Sequence, residues 1–113
     1  MNQLQLPHDP EIEASVLAGM LRNEKCMYEG VARFRDEHFF DPAHQVIYAT
    51  IIRLSSKGHP KFREVLVELK DEGFTKVLLN INRAIISEEQ FPIWADKLHE
   101  LYVQTFDFGK KTN

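Results

Sequence analysis

Apolar side chains recur along this chain at three- and four-residue intervals, a period that belongs to helices with one buried face. Ile12, Val16 and Met20, flanked by Leu17 and Leu21, predict a first helix from Pro10 to about Arg22. Asp9 can accept from an early free N–H as N-cap, and Pro10 takes the first helical position, where a missing donor costs nothing. Glu11 and Glu13 then place negative charge at the positive end of the helix dipole. Asn23 predicts the cap of a second, shorter helix whose inward residues are Met27, Val31 and Phe34. Gly30 weakens that helix by about 1 kcal/mol relative to alanine. Residues 35–40 read as a connection ending in the apolar pair Phe39-Phe40.

The third helix has the fullest set of boundary signals. Asp41 caps it, Pro42 opens it, Lys57 sits in its last turn, Gly58 stands at the C′ position and Pro60 follows. Ile47, Ile51 and Leu54 form its central stripe, Tyr48 and Ile52 lie beside them, and Val46 and Ala49 widen the apolar surface. A helix apolar over more than half its circumference is normally enclosed, so this one is expected to be the hub.

A fourth helix fits residues 62–72, with Phe62, Val65, Leu66 and Leu69 inward and Gly73 as C-cap. Between Thr75 and Ile86 the β-formers Val77, Ile81, Ile85 and Ile86 compete with the helical spacing of Leu78, Ile81 and Ile85. Strict alternation is absent, which decides for a fifth helix. Ser87-Glu88-Glu89-Gln90 matches a capping box, yet a helix begun there would hold Pro92 inside it. The expectation is a short turn, then a sixth helix from near Pro92 with Trp94, Leu98, Leu101 and Tyr102 on one face. The fold class is therefore all-α: a compact bundle of about six short helices around a central helix at about 42–57. Its core is expected to include Val16, Leu17, Ile47, Tyr48, Ile51, Leu66 and Leu69.

With 113 residues, one globular domain over 1–113 is the natural count. It divides into an N-terminal arm (1–8), a helical core (9–104) and a last stretch (105–113) that starts a linker or hairpin or frays as a polar tail. Net charge is −3, and the basic residues are thinly spread, which argues against a domain built to grip phosphate backbones by itself. Cys26 is the one cysteine, so no intrachain disulfide exists and a reducing cytoplasm fits. The start Met-Asn-Gln-Leu-Gln-Leu-Pro-His lacks the basic and apolar regions of a secretory signal, and no apolar run approaches a membrane span.

Chemistry is sparse. His38 and His44 straddle a loop and a helix start at no common zinc spacing, while His8, His59 and His99 are isolated. Surface or capping roles are expected for all five, and no metal site. Glu64, Glu68, Asp71 and Glu72 read as solvated helix surface rather than a catalytic pair. Cys26 has no feature beyond its place in a first helical turn that would activate it. Gly109-Lys110-Lys111-Thr112 resembles the end of a P-loop, but the loop's first glycine would fall at Gln104 and no strand precedes it. No catalytic residue and no cofactor are expected. Trp94 and Tyr102 share one face of the last helix near Phe106 and Phe108. They serve either as core padding or as anchors against another subunit.

Three stretches resemble one family. Leu6-Pro7-His8-Asp9-Pro10-Glu11-Ile12-Glu13-Ala14-Ser15-Val16-Leu17-Ala18-Gly19 is similar to the opening of DnaB-type replicative DNA helicases: a proline, a small acidic cluster, then a Glu-x-x-Val-Leu-Gly helix. Phe39-Phe40-x-x-x-His44-x-x-Ile47-Tyr48 resembles that family's Asp-Phe-Tyr segment followed by His-x-x-Ile-Phe/Tyr. Leu66-x-x-Leu69-x-x-x-Gly73, then Trp94-Ala95 and the last helix, follow in the family's order.

The resemblance implies a non-catalytic N-terminal collar domain that associates with other helicase subunits, docks the helicase-binding domain of primase and can contact a helicase loader. It implies DNA contact only through the full helicase, whose P-loop motor is a separate domain. Two departures stand out. The connection after Gly73 is shorter than the family's, with Val77 near the place of a tyrosine in a region that contributes to primase contact. The chain also ends near the second helix of the family's subunit-pairing hairpin, so it is either an excised globular half or a short divergent homologue of phage or plasmid type. The candidate interaction surface is Val77, Asn80, Trp94 and Tyr102, on the fifth and sixth helices. The competing readings are a free-standing adaptor or inhibitor that mimics the collar, which a downstream P-loop domain in the reading frame would exclude, and a helical nucleic-acid-binding domain, which a salt-dependent gel shift would reveal.

Overall fold

The computed structural model describes residues 9–111, and side chains through residue 105. The expected N-terminal arm and the last residues of the tail lie outside the described residues. Among the described residues there are six α-helices and no strand: α1 (Pro10–Arg22), α2 (Glu24–Arg33), α3 (Pro42–Ser55), α4 (Phe62–Leu69), α5 (Thr75–Arg83) and α6 (Phe91–Lys111). Single 3-10 turns at Asp36–His38 and Lys70–Glu72 complete the order.

The caps form where polar side chains stand just before an apolar-periodic run. The Asp9 carboxylate accepts from the N–H groups of Glu11 (2.9 Å) and Ile12 (3.2 Å), and Asp41 accepts from Ala43 N–H at 2.9 Å. Asn23 ends α1 by donating its N–H to the Gly19 carbonyl and caps α2 by accepting from Cys26 N–H at 3.0 Å. One residue thus joins two helices, which fixes a sharp corner. Gly73 adopts φ +80° after the turn that ends α4, a conformation open to glycine at no steric cost.

The fold class is as expected, but the hub is not. α1 contacts α2, α3, α5 and α6, whereas α3 contacts α1, α4 and the Asp36–His38 turn. Every residue of α1 from 15 to 21 is buried. On α3, Ala49 and Ile52 face outward, and the helix stops at Ser55 rather than Lys57. The reason is side-chain size. Ser15, Ala18 and Gly19 contribute little to an apolar count, yet they let neighbouring helices approach closely. A Cβ on Gly19 would lie 2.6 Å from the Phe91 ring, and one on Gly30 would lie 2.6 Å from Met20 Sδ. Gly30, expected only as a weak point, is where α2 crosses α1.

Val16, Leu17, Ile47, Tyr48, Ile51 and Leu69 are buried, while Leu66 is partly buried at the edge of the core. Phe91, absent from the expected core, is fully buried. The Tyr48 hydroxyl donates to the Phe34 carbonyl at 2.5 Å, and burial, with Asp36 nearby, pushes the phenol up to about 12.

The fifth helix ends earlier than its spacing predicts. α5 stops at Arg83, Ala84 is extended, and Ile85 is 84% exposed rather than in the core. The Arg22 guanidinium donates to the carbonyls of Asn82 and Ala84, and so holds the chain end that a longer helix would have used. Ser87 and Gln90 form a reciprocal box: Gln90 N–H donates to Ser87 Oγ at 3.2 Å and Ser87 N–H to Gln90 Oε1 at 3.1 Å. That box closes a short turn, so Pro92 falls in the first turn of α6, where its missing N–H is harmless. The backbone continues helically to Lys111, beyond the expected core limit at 104 and into the stretch for which fraying was one expectation.

Candidate interaction surface

The polar centre of the domain is a buried acid–base pair. Glu13 is 2% exposed, and its Oε1 lies 2.8 Å from Nδ1 of His44, itself 4% exposed. The same carboxylate accepts from Phe40 N–H at 2.7 Å and Asp41 N–H at 3.3 Å. A buried carboxylate persists only when its lone pairs are filled, and here one side chain of α1 holds the whole entry to α3. The expectation of a surface or capping role is met at His38, whose Nδ1 caps the Asp36–His38 turn by accepting from Arg35 N–H, and is corrected at His44, which is buried against Glu13. A signal was present: Glu13 shares the face of Leu17 and Met20 at helical spacing, so it points into the core.

His44 also forms part of the wall of an open groove of about 560 Å³ between the start of α1, α5 and α6. Ala14, Val77, Ala84, Ile86 and Trp94 give it apolar sides. Glu11, Asp41, Asn80 and Arg83 give it a polar rim of mixed charge. Three of the four candidate residues, Val77, Asn80 and Trp94, therefore converge on one site. Trp94 rests against the core on one side and faces the groove on the other, with Lys97 Nζ 5.5 Å from its ring centre. The volume falls in the range of sites that hold a small ligand or a short peptide.

Tyr102 lies elsewhere. Its ring stacks on His38 with centroids 4.0 Å apart, and the His99 ring lies 5.7 Å from His38 and 6.4 Å from Tyr102. His38 is 8% exposed, and its Nδ1 accepts from Arg35 N–H at 3.1 Å, which leaves the ring proton on Nε2. Burial first, then the neighbouring His99, hold His38 below the usual histidine range. This cluster joins the Asp36–His38 turn to α6, so Tyr102 acts in holding the last helix to the domain. The four candidate residues thus divide between a groove and a helix seam.

A model of the DnaB-like helicase N terminal domain matches residues 5–100. This chain belongs to the DnaB-like helicase family, as an N-terminal domain. Curated relatives include the replicative DNA helicase DnaB of Mycobacterium leprae, 39% identical over 56 residues, which is 50% of this chain and 9% of that protein. The replicative DNA helicase DnaB of Rickettsia conorii is 38% identical over 53 residues, covering 47% and 11%. The matched part thus spans about a tenth of the length of these relatives. The crystal structure of the N-terminal domain of DnaB helicase from Mycobacterium tuberculosis matches with a TM-score of 0.77 at 27% identity, over 89% of this chain and 77% of that one.

Within this DnaB-type domain, the groove and the Glu13–His44 pair are built from the matched stretch. Among its described residues no group of three His, Cys, Asp or Glu side chains could hold a metal ion. Cys26 is buried, and burial with Glu29 and Glu88 nearby pushes its thiol up to about 11, so it is a protonated packing group at neutral pH. No helix among the described residues is long and apolar enough to cross a membrane.

Proposed function

We propose that this chain is a non-catalytic collar domain of a replicative DNA helicase, and that the groove walled by Val77 and Trp94 docks the helicase-binding domain of a primase. The observation that carries the reading is the convergence of Val77, Asn80 and Trp94, from two helices, on one open apolar-sided groove. The connection after Gly73 is short, but α5 begins at Thr75 and still brings Val77 to the groove wall. The polar centre fits the reading: the Glu13 carboxylate is taken up by His44 and by the N–H groups of Phe40 and Asp41, and so joins α1 to the start of α3.

Association with other helicase subunits is assigned to α6, whose outward residues Ile93 and Val103 are large, apolar and exposed. A loader is a further partner for the same collar, and DNA is reached through the rest of the helicase in the cytoplasm. The test is calorimetric titration of the domain with the cognate primase helicase-binding domain, alongside light scattering for oligomeric state. Val77→Asp is expected to weaken binding at least tenfold and Tyr102→Ala to change it little. Equal affinity for Val77→Asp and the parent would remove the groove from the reading.

A further inference from the structure

We propose that a second copy of this chain seats on the groove, the Ile85 side chain of each copy entering the apolar recess of the other about a two-fold axis. The argument starts from how Ile85 is held. α5 ends at Ala84, which is extended with φ −70° and ψ 132°. From there the side chains alternate: Ala84 and Ile86 pack against the core, and Ile85 points away from it. Among the described residues Ile85 is the most exposed large apolar side chain. Both ends of its segment are pinned. Arg22 holds the Asn82 and Ala84 carbonyls, and the Ser87–Gln90 box closes the turn that follows. Ile85 is thus presented on a stiff stretch, and little freedom is lost when a partner covers it.

Ile85 also stands at the rim of the groove, beside the apolar walls of Val77, Ile86 and Trp94. A projecting apolar side chain next to an apolar recess on one face is self-complementary: a two-fold rotation lays each projection over the other copy's recess. The rim charges favour the same occupant. Glu11 and Asp41 stand where α1 and α3 begin, and Arg83 stands where α5 ends, so one face carries both signs. A partner segment of a single sign is repelled by part of this rim. A second copy turned about the axis brings its Arg83 toward the acidic end and offers its own acidic end to the first copy's Arg83.

This contact goes beyond the docking reading and does not rest on it. It uses α5 and residues 84–86, whereas association within the collar is assigned to Ile93 and Val103 of α6. If primase also docks in the groove, primase and the second copy compete, because both need Val77 and Trp94.

Trp94 is the chain's one tryptophan and lines the groove, so its emission reports what covers it. In the full chain, a concentration series from about 10 µM to 1 mM, the range in which small contacts form, is expected to move the emission to shorter wavelength. Sedimentation equilibrium over the same series is expected to show a monomer–dimer step. Ile85→Asp is expected to abolish both changes while far-ultraviolet circular dichroism stays the same, since the side chain is exposed. Val103→Asp is expected to leave the emission change in place. Glu11→Lys and Arg83→Glu are each expected to weaken the dimer about fivefold, and an equimolar mixture of the two variants to restore it. Recovery in the mixture cannot come from folding, because each variant is unchanged by mixing. Emission independent of concentration, or a dimer that survives Ile85→Asp and is lost in Val103→Asp, would overturn the proposal. A mixture no tighter than either variant alone would overturn it as well.

Discussion

Glu13 on α1 and His44 on α3 meet at 2.8 Å inside the bundle, and the same carboxylate takes the N–H groups of Phe40 and Asp41. One side chain therefore decides where the connection after α2 stops and where α3 starts. Removing one partner leaves the other groups buried without theirs, and such losses cost about 3–5 kcal/mol. Glu13→Ala is expected to lower the unfolding free energy by that amount in urea titration. Glu13→Gln, which keeps an acceptor oxygen, is expected to lose less. A change below about 1 kcal/mol for Glu13→Ala would show that the pair does not organise the fold.

Glycine-to-alanine changes in exposed helices usually stabilise by about 0.5–1 kcal/mol. Here both helical crossing points reverse the sign. Gly19→Ala drives a methyl group into the rigid Phe91 ring, and a destabilisation of about 1–3 kcal/mol is expected. Gly30→Ala meets Met20, whose longer side chain can yield, so its cost is expected to be smaller. Thermal unfolding of both variants gives the order; a stabilised Gly19→Ala would contradict the close approach of α1 and α6.

Acid should weaken the domain through His38. Its folded-state pKa lies below the ordinary value near 6.5, so between the two the unfolded chain binds the proton more readily. The stability is complete above about pH 6.5 and falls as the pH drops from there toward the folded value. The groups around it are His99 and Tyr102 on α6, Arg35 just before the turn, Glu37 within it, and Glu13 on α1. His38→Phe keeps a ring against Tyr102 and removes the titration. Its melting temperature is expected to fall less between pH 7.5 and pH 5 than the parent's; parallel pH curves would exclude the effect.

Arg22 sits at the surface yet holds the carbonyls of Asn82 and Ala84. Arg22→Met keeps most of the apolar stem and loses the donors. Because the site is exposed, the global cost is expected to be only about 1 kcal/mol. The local effect should be larger: amide exchange at the end of α5 and through residues 84–86 speeds up, while α3 is unchanged. Uniform acceleration across all helices would contradict a local clamp.

Helix starts were readable because their causes are local. Asp9-Pro10 and Asp41-Pro42 cap and open helices through atoms only two or three residues away, and Gly73 ends its segment through its own backbone freedom. The family resemblance was likewise legible in Leu6–Leu17 and Phe39–Tyr48, and so was the absence of alternation that excluded a sheet. The end of α5 was not readable, since Arg22, sixty residues earlier, supplies the donors that stop it.

The chain by itself determined which segments become helices and which face of each is apolar, because capping and periodicity act over a few residues. Tertiary structure alone decided which helix is enclosed, which groups fill the lone pairs of Glu13, that His38 and His44 are interior, and that Val77 and Trp94 share a groove while Tyr102 closes a seam. Those outcomes depend on how closely two backbones approach and on which distant polar group fills a lone pair. Neither distance is written into the spacing of residues along one helix.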